Sequence, residues 1–244
     1  MSGSRVPVAT VAHLYRFPVK SMGGESLERA TLNWHGVEGD RRQTFVKTGD
    51  LTTFPWLTAR DVPELLRYSA RLLDPAHVSR SPVEVRMPDG VVVPAESPLL
   101  RERLEWAHGA PIHLMRISRG VPDVAGISVV GLGTLRALGE RIGQPLDIRR
   151  FRENIYLETA SGEPDVEDSW AGRLLVFGDG PDAARVRLLR PDHRCMIVNL
   201  DPDTAMQTPA VLREIATNRG NCVGLYASVE RPGALQVGDP VYLE

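Results

Sequence analysis

The segment 8-VATVAHLYRFPVKSMGGE-25 runs an apolar, β-rich stretch directly into a turn. Val8 to Val19 reads as a strand, and Pro18 with Gly23-Gly24 brackets Lys20 and Ser21 in the loop that ends it. A turn at a strand end exposes backbone N–H groups. Here it adds an ammonium and a hydroxyl, a set suited to a phosphate or another oxyanion, although an ordinary polar loop would look the same. Of 29 basic residues only Lys20 and Lys47 are lysines. Nucleotide bias explains such a preference for arginine, yet a lysine retained against it is one whose ammonium has a use.

The same pattern of short strand and punctuating turn recurs along the chain. Strands are expected at 30–36, 42–48, 83–88, 90–95, 111–118, 154–158, 173–179, 184–191, 195–200, 223–230 and 239–244. In "MPDGVVVP", Asp89-Gly90 marks a hairpin turn. Three helices follow from capping signals. Ser97 with Pro98 opens one, Thr134 opens a second that Gly143 ends, and Thr208 with Pro209 opens a third that Gly220 ends. Many strands and few helices predict a mainly β fold with α (α+β), a barrel or twisted sheet with helices over its ends. The softest boundary is "SRGVPDVAG", 118–126.

Composition excludes several classes. The 244 residues suffice for one large or two small domains, and 42% hydrophobic with 25% charged is ordinary for a globular chain. A net charge of −2 argues against nucleic acid and acidic membrane surfaces as partners. The opening residues lack an apolar core of signal-peptide length, and the longest uncharged apolar-rich run, Val124 to Leu135, is too short to span a bilayer. Cys195 and Cys222 fit no zinc or CxxC pattern, so a reducing, cytoplasmic location is the simpler expectation.

Further clusters carry chemistry. "HGVEGDRRQTF" places Arg41 and Arg42 after a Gly-Asp turn, where strand alternation allows at most one to point inward. "WLTARDVPEL" offers Thr58 and Arg60. "RRFRENIYLE" sets Arg152 and Asn154 two apart, on one face if the strand has begun, joining a planar cation to an amide. In "LRPDHRCMIVNLDPDTA" (189–205), Cys195 follows His193 and Arg194. It is either a small packed hydrophobe or a thiolate favoured by those neighbours. In a strand beginning at Cys195, Arg194 would face away from the sulfur. No GxSxG, HExxH, P-loop or GxGxxG motif is present, and the six histidines show no metal-ligand spacing.

In order, "LYRFPVKSMGG", "GVEGDRRQTFV", "LTARDVPEL", "RRFRENIYLE", "EDSW", "RCMIVNLDPDT" and "GALQVGDPVYL" resemble the MOSC domain proteins, named for the C-terminal domain of molybdenum cofactor sulfurase. The first half resembles the β-barrel domain that precedes MOSC in amidoxime-reducing components. The resemblance implies a MOSC barrel (119–244) packed on a smaller N-terminal β-barrel-like domain (8–118), with a molybdenum cofactor, molybdopterin, between them. It implies Cys195 as the metal ligand, and Lys20, Ser21, Arg41, Arg60, Arg152 and Asn154 as residues that hold the pterin and its phosphate. Arg194 and Thr134 are the neighbouring cofactor candidates, and His193 the candidate acid–base group. Two departures stand out: His193 replaces a small hydroxyl residue, and "GLGT" (131–134) replaces a "SEAS" stretch, leaving Thr134 as its only hydroxyl.

The implied activity is reduction of N-hydroxylated small molecules. Two cysteines are too few for a four-cysteine iron–sulfur cluster on this chain. Electrons are therefore expected from a separate donor protein, flavin or iron–sulfur in type. The alternative class is a cofactor or sulfur carrier of the sulfurase type, with Cys195 as a persulfide site.

Overall fold

A computed structural model describes residues 5–244; residues 1–4, where the segment read as lacking a leader begins, lie outside the described residues. The first half contains strands β1 (Ala9–Arg16), β2 (Glu25–Leu27), β3 (Arg29–Asn33), β4 (Gly36–Val37), β5 (Gln43–Lys47), β6 (Ser69–Leu72), β7 (Val83–Arg86) and β8 (Val92–Pro94), then helix α1 (Pro98–His108) and β9 (Ile112–Arg116). The second half contains β10 (Ile127–Gly131), α2 (Leu132–Ile142), β11 (Ile155–Thr159), β12 (Leu174–Phe177), β13 (Ala184–His193), α3 (Ala210–Asn218), β14 (Cys222–Arg231), β15 (Gly233–Gln236) and β16 (Pro240–Leu243). The fold is mainly β with α, as expected.

Seven strands close a barrel in the order β11-β10-β14-β13-β12-β16-β1, and β1 pairs back onto β11 from Ala9↔Thr159 to Leu14↔Ile155. Closure leaves these strands no free edge. Ala9, Val11 and Leu14 of β1 point into the barrel, and the step of three between Val11 and Leu14 is absorbed by a register shift before His13. They meet Val129, Ile155, Leu157, Leu175, Val186 and Leu225 in one core, which also takes Leu32 and Val37 from β3 and β4. A second core, built from Val19, Met22, Phe45, Leu65, Val85, Leu100 and Ile112, belongs to the small sheets of the first half. A single cut at 118/119 thus leaves β1, β3 and β4 on the far side of the core they fill.

The hairpin at Asp89-Gly90 forms, with Val85 opposite Val93 and Gly90 at φ 87°. Three expectations need correction. "CMIVNL" is not a strand: β13 ends at His193, and Met196–Asn199 is one 3₁₀ turn with Cys195 at its N-cap. Four consecutive apolar or amide residues carry no periodicity that separates the two forms. Thr134 does not cap its helix, because β10 runs into α2 with Gly131 at the N-cap and Thr134 buried in the first turn. Pro209 rather than Thr208 sits at the N-cap of α3.

Candidate functional site

Barrel closure positions the site. With Leu14 opposite Ile155, the chain leaving β1 emerges beside the residues that precede β11. Lys20, Ser21, Arg41, Arg152, Asn154, His193, Arg194 and Cys195 all line one cleft at this place, drawn from both halves of the chain. Arg60 and Thr134 are not among its lining residues. Arg60 is exposed and stacks 4.8 Å from the Phe54 ring, on which the Lys20 ammonium also sits, at 5.5 Å. Its charge also reaches Asp123, which lines the cleft. The Thr134 hydroxyl is occupied elsewhere: it donates to Glu167 Oε1 at 2.7 Å and accepts from the Asp165 N–H.

The first wall is made of two loops laced together. The Lys20 N–H donates to the Gln43 carbonyl, the Gln43 N–H to the Pro18 carbonyl, and the Arg41 N–H to the Phe17 carbonyl. Gly24 is required by contact. A Cβ there would lie 2.3 Å from the Arg16 carbonyl oxygen and 2.6 Å from the Phe17 ring. That ring carries two guanidiniums, Arg41 at 4.9 Å and Arg152 at 4.4 Å. Among the described residues six non-glycine residues have left-handed backbone, and Ser21, Arg41 and Arg152 are three of them. Such conformations cost about 1–3 kcal/mol each and persist where the surroundings over-determine them.

Each first-wall cation already faces a carboxylate. Lys20 pairs with Asp123 and also donates to the Val121 carbonyl; Arg41 pairs with Asp40 and donates to the Arg152 carbonyl. Burial lowers the Lys20 pKa, against the opposing pull of Asp123. Burial works to raise Asp123, yet the Lys20 ammonium, helped by Arg41 and Arg60, holds it below the usual carboxylate range.

The second wall comes from the barrel end. Asn154 is fully buried, accepts from the Ser128 N–H and donates to the Tyr15 carbonyl, tying β10 to β1. Arg152 precedes β11 rather than lying in it; its side chain donates to the Met22 carbonyl at 2.7 Å. Burial and then Arg41 lower its pKa to about 9. Arg194 is held by the carbonyls of Phe151 and Val223 and by the buried carboxylates of Glu153 and Asp192, and burial lowers its pKa to about 10. Because β13 has ended, Arg194 and Cys195 both reach the cleft; alternation would have parted them. Register shifts around Pro191 re-aim this strand end. Cys195 is half-buried and His193 exposed, with its ring nitrogens 3.1–3.2 Å from Asn221 Nδ2.

Sequence reasoning missed Arg150, Asp123, Asp192 and Tyr226, all of which line the cleft. Arg150 clamps the turn after Cys195 by donating to the Asn199 carbonyl at 2.8 Å and pairing with Asp201 at 3.1 Å. "PDHRC" and "RRF" contain the only local hints: a carboxylate beside a basic pair, and a doubled arginine.

Two family models match the chain, the MOSC domain over residues 118–242 and the MOSC N-terminal beta barrel domain over residues 8–98. The chain belongs to the MOSC domain family. Mitochondrial amidoxime-reducing component 1 of Mus musculus is 24% identical, the match covering 97% of this MOSC chain and 82% of the mouse protein. The component 1 of Homo sapiens is 26% identical over 50% of this chain and 37% of its own length. The solved YUAD protein of Bacillus subtilis shares the fold, with a TM-score of 0.52 at 15% identity over 96% of this chain and 94% of that one.

The MOSC family is associated with the molybdenum cofactor, and the donor set fits such a group. The Arg152 Nη2 is sealed from solvent without a hydrogen-bond partner, a donor left over for an anion. Cys195 is the one thiol in a cleft lined by cations, and among the described residues no three His, Cys, Asp or Glu side chains gather into a metal cage. A metal seated here needs its remaining ligands from the molecule that carries it.

Proposed function

We propose that this MOSC protein is a molybdenum-dependent oxidoreductase of the cytoplasm that reduces N-hydroxylated small molecules, taking electrons from a separate flavin or iron–sulfur protein. One observation carries the reading: a single thiol shares a cleft with cations from both halves of the chain, one of which keeps an unpartnered buried donor. The similarity to amidoxime-reducing components supports the choice of reaction.

In this reading Cys195 is the metal ligand. Lys20, Ser21 and Arg41 from the first wall, with Arg152, Asn154 and Arg194 from the second, hold the pterin and phosphate of molybdopterin. Arg150 fixes the turn that presents the thiol, and Arg60 adds positive field at the mouth. Thr134 has no part in it. The bound group supplies two-electron redox chemistry and a place for the oxygen that is removed. The chain supplies the anion cradle, a soft anchor and protons for the overall change R–NHOH + 2 e⁻ + 2 H⁺ → R–NH₂ + H₂O. The segments 8–118 and 119–244 remain the two units that bracket the cleft, with β1 lent to the barrel of the second.

The test is to purify wild type and Cys195→Ala from cells that make the cofactor, and to measure bound molybdenum, pterin and hydroxylamine reduction with an artificial electron donor. Near-stoichiometric metal with turnover, both lost in the variant, is expected. Pterin bound without turnover points to the sulfurase-type carrier instead, and neither metal nor pterin overturns the reading.

A further inference from the structure

Among the described residues the carboxyl of Asp192 is the one acidic group that meets both Arg194 and the cleft. Asp192 is 5% exposed, Glu153 is 0% exposed, and the two share the single Arg194 guanidinium, Asp192 at 3.1 Å. Two buried carboxylates and one cation leave a buried negative charge unless a proton joins them. Glu153 lies behind Arg194, outside the cleft lining, whereas Asp192 lines it together with Cys195 and Tyr226. Tyr226 of β14 lines the cleft beside Asp192, and its hydroxyl pulls the carboxyl's pKa down. From the loops of the first half, Arg41 attracts its charge and Asp123 repels it. On β14, Cys222 feels it too, since burial first and Asp192 next raise that thiol's pKa.

We propose that Asp192 carries the exchangeable proton of the cleft and delivers it to the oxygen that leaves the substrate, with Arg194 holding the carboxyl in place and Tyr226 beside it in the lining. This rests on the reductase reading above. As the N–O bond breaks, the nitrogen gains the electron pair provided by the donor protein, which is oxidised. The proton from Asp192 joins the departing hydroxyl to make water, a second proton from solvent completes the amine, and solvent at the cleft mouth reprotonates Asp192. His193 is the weaker candidate, because it is exposed and its ring is engaged by Asn221. Burial pushes the Asp192 pKa up to about 7, although Tyr226 and Arg41 pull the other way. The acid form is therefore present below neutrality and disappears as pH rises through about 7, and the rate falls in that direction.

Infrared spectra across pH, with metal content, pterin content and hydroxylamine reduction, are to be recorded for the full-length protein as wild type, Asp192→Asn, Asp192→Glu and Glu153→Gln. The expected result is a carboxylic-acid C=O band in wild type that fades as pH rises through neutrality and is missing from Asp192→Asn. That variant keeps metal and pterin while its rate drops by about 10²–10⁴-fold, the usual worth of a general acid. Asp192→Glu restores both the band and the falling pH limb. The proposal is overturned if Asp192→Asn keeps the wild-type rate and profile, or if the band persists there and vanishes in Glu153→Gln. Wild type without metal, pterin or turnover rejects the reductase reading instead, and the band still decides whether Asp192 holds the proton.

Discussion

The two walls of the cleft hold their cations by different means. In the first wall Lys20 and Arg41 sit on laced loops, and each is matched by a carboxylate, Asp123 or Asp40, as well as by one backbone carbonyl. In the second wall the guanidiniums of Arg150, Arg152 and Arg194 are fixed largely by backbone carbonyls, those of Asn199, Met22, Phe151 and Val223. A cation paired with a half-exposed carboxylate, as Lys20 is with Asp123, can exchange that partner for an arriving anion. A cation that satisfies buried carbonyls cannot leave without orphaning them. On the proposed function the first wall is chiefly a binding device and the second is also part of the framework, so substitutions in the two should separate affinity from stability.

The sharpest break of that contrast is Arg194→Met. It strands Glu153, which is 0% exposed, and Asp192 beside it. Removing one partner of a buried pair costs about 3–5 kcal/mol, to be read from denaturant unfolding. Adding Glu153→Gln should return part of the loss. A destabilisation below about 1 kcal/mol would mean that the second wall is not framework.

Gly24→Ala comes next, because it strikes the element that both walls share. The added methyl meets the Arg16 carbonyl and the Phe17 ring at distances no relaxed contact reaches, and Phe17 supports Arg41 and Arg152 alike. Overpacking of this kind costs about 1–3 kcal/mol. Thermal unfolding and molybdenum retention should fall together; a loss confined to one of them would show that Phe17 serves a single wall.

These contacts also explain what the sequence could and could not reveal. The strands that alternate and end in Gly, Pro or Asp were legible, as was the hairpin at Asp89-Gly90. β10 was not, because Ile127–Gly131 passes into α2 without a turn between them. Lys20, Arg41, Arg152 and Cys195 stood out as types in turns or at strand ends. That they converge depends on β1 pairing with β11 across more than half of the chain, which no local pattern encodes. Arg60 and Thr134 show the reverse: a suggestive local setting, but a tertiary position at the margin or behind it. Asp192 carried no signal beyond a carboxylate beside a basic pair, because a carboxylate's neighbours in space, and not its place in the chain, decide whether it keeps a proton.

Lys20→Gln tests the binding wall directly. Its partner Asp123 stays half-exposed, at 49%, and so is not stranded. Stability should fall by only about 1 kcal/mol, the cost of the Val121 carbonyl losing its donor, while loss of a charge-assisted contact of about 1.5–3 kcal/mol weakens cofactor retention by about 10–100-fold. Equilibrium dialysis of the purified holoprotein measures this. A large loss of stability with unchanged retention would reverse the roles of the walls.

The smallest effect concerns strain. Ser21 at φ 65° and Ala205 at φ 59° both hold left-handed backbone, but only Ser21 lines the cleft. Glycine adopts that conformation freely, a gain of about 1 kcal/mol that its greater freedom when unfolded offsets by about 0.4–1 kcal/mol. Ser21→Gly and Ala205→Gly should therefore both be neutral or slightly stabilising. If the strain at Ser21 serves to aim its hydroxyl at an anion, Ser21→Gly alone should also lower cofactor retention. Equal retention in the two variants would show that the first wall binds through its charges, with the hydroxyl a bystander.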